Sequence, residues 1–277
     1  MNQITNELLA HPVVQSIAVP FFVALVTAKL FSYLRLSGLA VVAGFCATVF
    51  LIADFNFESL SIVKKIILLG LVVAVVSPIL DLLLGNWRFT RYLILSACAA
   101  TVLWIFLPVL EQKEMLEAAI YAVAMVSFIL CLAVLMDHLR TKPMCAGSAG
   151  MSLGLGVGAS ALLGASALLG QLSFAVGMGA SAYVLLQLLN GKPLSCGRTF
   201  TVPITVLCGL VALSALILAK LPWYCLPVLL IVPLVTMMPL PESWSQHHKL
   251  IVLLPLTLMI GAIPAILIWY ESGGLIL

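Results

Sequence analysis

The chain has 277 residues, of which 64% are hydrophobic and 8% are charged, and its formal net charge is +3. A soluble domain carries roughly 25% charged residues. With only 13 Lys and Arg and 10 Asp and Glu, the chain cannot cover a water-exposed surface, so its composition excludes a soluble globular protein. The basic residues lie singly or in pairs at the ends of apolar segments, which argues against nucleic-acid binding.

The apolar segments are apolar on every side for about 20 residues, the length that a helix needs to cross a bilayer. Strands of a membrane barrel would instead alternate polar and apolar residues. The sequence therefore predicts an all-α, polytopic integral membrane protein with about ten transmembrane helices, several of them kinked by proline. We expect a single transmembrane domain over 1–277, with possible halves 1–140 and 141–277. The predicted spans lie near 12–31, 37–53, 64–85, 90–110, 115–137, 146–168, 171–190, 200–219, 221–239 and 249–270.

Basic residues set the predicted orientation, because the cytoplasmic loops of membrane proteins are enriched in Lys and Arg. With the N-terminus outside, nine basic residues fall in inner loops and four in outer loops. This distribution favours both termini outside, in what we expect to be a bacterial cytoplasmic membrane. The inner set is Lys29, Arg35, Arg88, Arg91, Arg140, Lys142, Lys192, Arg198 and Lys249, and the outer set is Lys64, Lys65, Lys113 and Lys220.

The second predicted span follows Arg35 with the sequence RLSGLAVVAGFCATVF. This segment resembles an early helix of cation/proton antiporter-like proteins. The resemblance covers only this short stretch, and the acidic pair that such antiporters carry in mid-membrane is missing. The sequence therefore assigns no family.

Asp81 is the acidic residue predicted to lie deepest in the membrane, in the third span beside Pro78. Its sequence position places it about 6 Å inside the inner boundary of the span. A carboxylate at that depth needs a partner, a proton or contact with water. One interpretation is an ion pair near the interface with Lys29, Arg88 or Arg91. The other is a carboxylate that couples transport to a proton or a cation.

The longest uncharged segment runs from Pro143 to Gly191 and holds ten of the 19 glycines. It is too long for one membrane helix, so it predicts two. We expect the turn between them near Gly170 and Gln171. The connections at 168/171 and 219/221 are so short that each predicts either a tight hairpin or one broken helix.

Four glycines of this segment predict a helix-packing face. Gly150, Gly154 and Gly158 repeat every four residues in the sixth span, and Gly179 lies in the seventh. Small residues at this spacing allow two helices to approach closely. The alternative interpretation is a hinge, or a closely packed pair of helices that slide in a transporter.

The ninth predicted span, LPWYCLPVLLIVPLVTMMPLP, holds five of the 14 prolines. A proline inside a helix removes one N–H donor and frees a carbonyl four residues earlier. Discontinuous helices often mark transporter binding sites. We therefore take Pro227 and Pro233 as candidates for a helix break, with simple kinking as the alternative.

The remaining polar residues within the predicted spans are few. Gln171, Gln187 and Thr205 are candidates for a substrate or coupling-ion path, and hydrogen bonds between helices are the other interpretation. Asp137 and His138 end the fifth span and indicate a polar cap at the interface. The four histidines and seven cysteines form no metal-binding motif, and no catalytic signature is present. We therefore expect no catalytic residue, no metal and no cofactor.

The sequence thus predicts a small secondary transporter or permease, with Asp81 as the coupling group if coupling is by cation. One alternative is a non-catalytic membrane subunit or scaffold of a larger complex. A second is an intramembrane enzyme that acts on a lipid-like substrate. The expected partners are the lipid bilayer, an unknown small solute or ion, and a second copy of the chain or a partner membrane subunit, but no nucleic acid.

Overall fold

The computed structural model describes residues 11–34, 36–52, 61–83, 88–164, 166–190, 194–218, 221–238 and 246–271. Within these residues every regular element is a helix. The helices are α1 (Val14–Phe31), α2 (Leu39–Ile52), α3 (Ile62–Leu83), α4 (Arg88–Leu110), α5 (Met115–Leu139), α6 (Pro143–Leu163), α7 (Ala167–Asn190), α8 (Gly197–Leu218), α9 (Cys225–Thr236) and α10 (Gln246–Glu271). The first five residues of α1, Val14–Ala18, are wound as a π-helix.

These ten helices correspond one to one with the ten predicted spans, and the prediction of an all-α polytopic membrane protein is confirmed. Eight of the described helices are long and apolar enough to cross a membrane. The other two, α2 and α9, have 14 and 12 residues. They are about 21 and about 18 Å long, which is less than the hydrocarbon core of a bilayer, about 30 Å. By length alone, α2 and α9 reach across only part of the membrane.

Helices α6, α7 and α8 form the centre of the bundle. In the most apolar 18-residue stretch of each helix, 72% of the residues are buried in α6, 72% in α7 and 78% in α8. The corresponding share in the other five long helices is 22–33%. Helices α1 and α2 pack on α7, helices α3 and α5 pack on α8, and α10 packs on α6. The uncharged, glycine-rich segment therefore lies in the protein core, and the outer helices present their apolar side chains to lipid.

Glycines let the central helices touch backbone to backbone. A Cβ atom added at Gly154 of α6 would overlap the backbone of Gly177 in α7, and one at Gly156 would overlap the backbone of Gly261 in α10. Two hydroxyls reinforce these contacts. The Ser173 hydroxyl of α7 donates a hydrogen bond to the Gly154 carbonyl at 3.0 Å, and Ser152 of α6 donates to Thr257 of α10 at 2.8 Å. Helix α6 is thus held closely on two sides.

The turn between α6 and α7 lies earlier than predicted. Helix α6 ends at Leu163 and α7 begins at Ala167. The Gly164 N–H closes the end of α6 with a hydrogen bond to the Ser160 carbonyl at 2.9 Å. Gly170 and Gln171 therefore lie at the start of α7, and the predicted turn at these residues was wrong. Hydropathy gave no boundary because the chain is apolar on both sides of the turn.

The helix break expected at Pro227 or Pro233 is absent, because α9 continues through both residues. Pro227 lies in the first turn, where an N–H group has no partner within the helix in any case. Pro233 is buried in the second half of α9, and its carbonyl accepts a hydrogen bond from the Thr236 hydroxyl at 2.8 Å. Prolines also lie inside other helices, namely Pro78, Pro108, Pro203, Pro255 and Pro264.

Candidate functional site

Charged residues that are far apart in the sequence gather at one end of the bundle. At this end α3, α5 and α7 stop, and α4, α6 and α8 begin. We call it the basic end, since it carries Arg91, Arg140, Lys142, Arg198 and Lys249. The carboxylates of Asp81 and Asp137 lie among these cations. The basic end is the main concentration of ionisable groups in the described part of the chain.

Asp81, at the end of α3, binds the first turn of α8. Its Oδ1 accepts a hydrogen bond from the Arg198 backbone N–H at 2.9 Å. Its Oδ2 accepts two more, both at 2.7 Å, from the backbone N–H and the hydroxyl of Thr199. The carboxylate therefore caps the N-terminus of a helix from another part of the chain and compensates the positive end of that helix dipole.

Gly197 makes this cap sterically feasible. Its φ is +62°, and a Cβ atom at this position would overlap the Asp81 carboxylate. Glycine adopts positive φ at little cost, whereas other residues are strained there. The close approach of α3 to α8 thus depends on Gly197. Among the described residues, the hydrogen-bond partners of Asp81 are main-chain N–H groups and a hydroxyl of α8, and its role in coupling stays a prediction.

Asp137, near the end of α5, is shared by three guanidinium groups. Its carboxylate oxygens lie 3.7 Å from Arg91 Nε, 3.6 Å from Arg140 Nη1 and 3.8 Å from Arg198 Nε. The Arg198 side chain is almost fully buried, so its charge depends on this carboxylate. The three contacts join α4, α5 and α8. We call Asp137 and these three arginines the arginine cluster.

A gap of about 10 Å³ lies beside the arginine cluster, lined by Asp137, Thr201 and Thr205 among others. This volume is close to the minimum for one water molecule. The Thr205 hydroxyl donates to the Thr201 carbonyl at 2.8 Å, and the Thr201 hydroxyl donates to the Gly197 carbonyl at 3.3 Å. Both hydroxyls donate hydrogen bonds within α8. Because of its small volume, the gap beside Thr205 has room for a water molecule but not for a larger solute in this conformation.

A cavity of about 960 Å³ opens at the basic end. Among the described residues, its charged lining residues are Arg140, Lys142 and Lys249, and none of these lining residues is Asp or Glu. The hydroxyls of Ser32, Thr141 and Ser195 add polar groups to its wall. Arg140 belongs both to this wall and to the arginine cluster, so the cavity and the cluster are adjacent. We call this space the basic-end cavity.

One wall of the basic-end cavity, residues 194–197, is fixed by hydrogen bonds from three other segments. The buried Tyr183 hydroxyl donates to the Leu194 carbonyl at 3.1 Å. The Ser37 hydroxyl donates to the Ser195 carbonyl at 2.9 Å, and the Gly197 N–H donates to the Arg140 carbonyl at 3.3 Å. This wall is therefore part of the folded bundle.

Gln187 and Gln171 lie at opposite ends of α7. They are 16 residues apart in one helix, about 24 Å, so they cannot contact the same small solute. Gln187 is fully buried one turn from Tyr183, and neither amide atom has a hydrogen-bond partner among the described residues. Gln171 is half-buried near the start of α7, away from the basic end. This arrangement therefore does not favour a common substrate path through Gln171 and Gln187.

The four candidate packing glycines each contact a neighbouring helix, although not the same one. Gly150 faces Ile204 of α8, Gly154 faces the backbone of α7, and Gly158 faces Phe174 of α7. Gly179 faces the backbone of α2 at Val41. The glycines thus serve three interfaces.

Sequence reasoning missed the arginine cluster and the cavity. It placed Arg140 and Arg198 only as loop charges and Asp137 as an interfacial cap. The available signal was that helix ends on the same predicted side repeatedly carry charged residues, several of them less than one helical turn from the end of the span. Such ends converge when the helices pack as antiparallel neighbours.

The chain matches no known protein family, and no curated protein or solved structure is significantly similar to it. The function is therefore argued from the geometry of the basic end.

Proposed function

We propose that the protein is a small secondary transporter whose solute enters through the basic-end cavity. The observation that carries this proposal is the cavity itself, since a space of about 960 Å³ lies at the upper end of the usual range for small-molecule sites, about 300–1,000 Å³. It opens at the end of a membrane bundle, and the close-packed helices α6, α7 and α8 lie beyond it. A cavity open at one end and closed by packed helices fits one state of an alternating-access transporter.

The packing of α6 supports movement between two such states. Its closest contacts with α7 and α10 include glycine backbones and hydroxyls, which give parts of these interfaces a smooth surface. Packed helices with such smooth surfaces can slide past each other by small shear motions. The cap of Asp81 on α8 and the arginine cluster instead hold α3, α4 and α5 to α8. We therefore take α8 with these three helices as the fixed part and α6 as the moving part.

The structural role of Asp81 changes the coupling hypothesis. Both of its oxygens accept hydrogen bonds from α8, so Asp81 holds the end of α3 to the N-terminus of that helix. Under the transporter proposal, Asp81 contributes to coupling by holding α3 to the fixed helix α8 and not by binding the solute.

The intramembrane-enzyme alternative requires clustered polar residues at one interface, and the basic end supplies such a cluster. However, the Asp81 carboxylate is held by α8, and the Asp137 carboxylate is surrounded by guanidinium groups. Neither is placed as a general base, which must be free to accept a proton from a substrate. The placement of these two carboxylates therefore favours transport over catalysis.

Uptake by proteoliposomes tests the proposal. The probes are radiolabelled phosphate, succinate, alanine and putrescine, each with and without a pH gradient. We expect saturable uptake of at least one probe, and we expect Ser32→Trp to abolish it, because Ser32 lines the cavity and an indole would fill the entrance.

The matched control is Ser96→Trp on the exposed surface of α4. The hydroxyls of Ser32 and Ser96 bond in the same way, each to the carbonyl three residues earlier, so the two substitutions differ mainly in their relation to the cavity. Absence of uptake for every probe, or equal uptake by Ser32→Trp and Ser96→Trp, would contradict the proposal. Absence of uptake together with a stoichiometric co-purifying protein would favour the alternative of a membrane subunit.

A further inference from the structure

We propose that the basic-end cavity binds an anion, a carboxylate or phosphate group carried either by a small solute or by a lipid headgroup. For a transported solute this inference rests on the proposed function and names its substrate class as anionic. The binding itself does not depend on transport, and the two are tested separately below.

The charges of the cavity wall carry the inference. Three of its described lining residues are cations, Arg140, Lys142 and Lys249, and none of the described lining residues is acidic. In a narrow space bounded by low-dielectric protein, charges of one sign concentrate ions of the opposite sign. A cation in solution would be repelled from this wall.

The carboxylates of the basic end do not balance these charges. Asp137 is already shared by Arg91, Arg140 and Arg198, and Asp81 is occupied by the N-terminus of α8. In the described part of the basic end, two carboxylates thus lie among five cations, counting Lys142 and Lys249. An additional anion in the cavity would bring the local charge closer to zero.

The start of α6 adds main-chain donors to the same wall. Lys142 is the N-cap residue of this 21-residue helix and makes no capping hydrogen bond with its side chain. Met144 and Cys145, in the first turn, both line the cavity. Backbone N–H groups in the first turn of a helix have no partner within the helix and carry the positive end of its dipole. Together with the lysines they form a suitable cradle for a carboxylate or a phosphate.

Cys145 provides a reporter inside the cavity. It is half-buried at the wall, so a thiol reagent that enters the cavity can reach it. Cys196 also lines the cavity but is buried, so a reagent in the cavity reaches its thiol less readily than that of Cys145. Modification of Cys145 therefore measures what the cavity admits.

The experiment compares two methanethiosulfonate reagents of similar size, one bearing a sulfonate and one bearing a trimethylammonium group. The full chain is held in phosphatidylcholine nanodiscs, without any gradient, and modification of Cys145 is followed by mass spectrometry of its peptide. Lys142→Gln/Lys249→Gln removes two wall charges. Lys65→Gln/Lys113→Gln removes two lysines at the opposite end of the bundle and is the matched control.

We expect the ratio of sulfonate to trimethylammonium reaction rates to fall about tenfold in Lys142→Gln/Lys249→Gln, since both lysines line the same cavity as the thiol and act on the two reagents in opposite directions. The ratio should stay near the wild-type value in the control. Phosphate or succinate should protect wild-type Cys145, and tetramethylammonium should not. Protection only by phosphatidylglycerol in the nanodisc assigns the anion to a lipid headgroup.

An equal rate ratio in the wild type and in Lys142→Gln/Lys249→Gln would overturn the inference, as would equal protection by tetramethylammonium. Protection by an anion without uptake in proteoliposomes would support the anion site and contradict the transporter proposal. Uptake of only neutral or cationic probes, with no protection by anions, would support the transporter and overturn the anion site.

Discussion

Asp81 shows how strongly the partner of a residue determines what the residue can do. Its position near the end of an apolar helix suggests a costly buried charge, which in a membrane protein is a functional candidate. The structure gives this carboxylate three donors from α8. Its charge is therefore stabilised by hydrogen bonds and by the dipole of α8, and it contributes first to the fold.

We expect Asp81→Asn to lower the stability of the protein by about 1–2 kcal/mol, the usual cost of losing a helix cap. An amide retains one acceptor oxygen, and its NH₂ group would face a backbone N–H. The midpoint of thermal unfolding in detergent measures the effect. Glu117→Gln is the control, since that exposed glutamate pairs only with Lys113 one turn earlier and should change the midpoint little. An Asp81→Asn protein as stable as the wild type, but with altered pH dependence of uptake, would return Asp81 to a role in coupling alone.

At the scale of elements, α6 is distinguished by contacts that leave no room for a methyl group. At Gly154 and Gly156 the neighbouring atoms belong to the backbones of α7 and α10, whereas at Gly158 they belong mainly to the ring of Phe174. A ring can rotate away from an added atom, but a helix backbone must move as a whole. The same substitution should therefore have different costs along this one helix.

We expect Gly154→Ala to destabilise the protein by about 1–3 kcal/mol, as overpacking does in well-packed cores. Gly158→Ala is the matched control in the same helix and against the same neighbour, and it should cost distinctly less. Unfolding in sodium dodecyl sulfate, followed by circular dichroism, compares the two variants. Equal stabilities would show that α6 and α7 separate easily at Gly154 and would contradict the close contact.

Hydropathy and charge were sufficient to predict the helices, because a helix in lipid must be apolar over most of its length and its charges collect at the ends. They did not place the end of α6, since the residues on both sides of Gly164 are equally apolar. They did not predict that α9 continues through Pro233, because that depends on the neighbours of the helix. The contact of Asp81 with Thr199 spans more than a hundred residues of sequence and follows from tertiary packing alone.

At the scale of the whole molecule, the described Lys and Arg residues are concentrated at one end of the bundle. The helices that end there alternate with the helices that begin there, as expected for a chain that crosses repeatedly between two sides. The sequence assigns this end to the cytoplasm because cytoplasmic loops are rich in Lys and Arg. Under that assignment the basic-end cavity opens to the cytoplasm.

Reporter fusions test this orientation. We expect alkaline phosphatase fused after Leu277 to be active in a bacterial host, because the enzyme folds only outside the cytoplasm, and a green fluorescent protein fused there to be dark. Phosphatase fused after Asn190, at the basic end, should be inactive while the fluorescent protein is bright. The opposite pattern at both positions would place the cavity mouth on the outer side.

The central position of α6 has a consequence for biosynthesis. Among the eight long helices, α6 has the lowest mean hydropathy and α7 the next lowest, although both are largely enclosed by other helices. A nascent α6 therefore partitions into lipid less readily than the helices made before it, and its glycines pack against α7, α8 and α10, which are synthesised later. The core helices α6 and α7 are thus synthesised before some of the helices that enclose them. We expect them to stay at the insertion machinery until α8 and α10 have been made and can pack against α6.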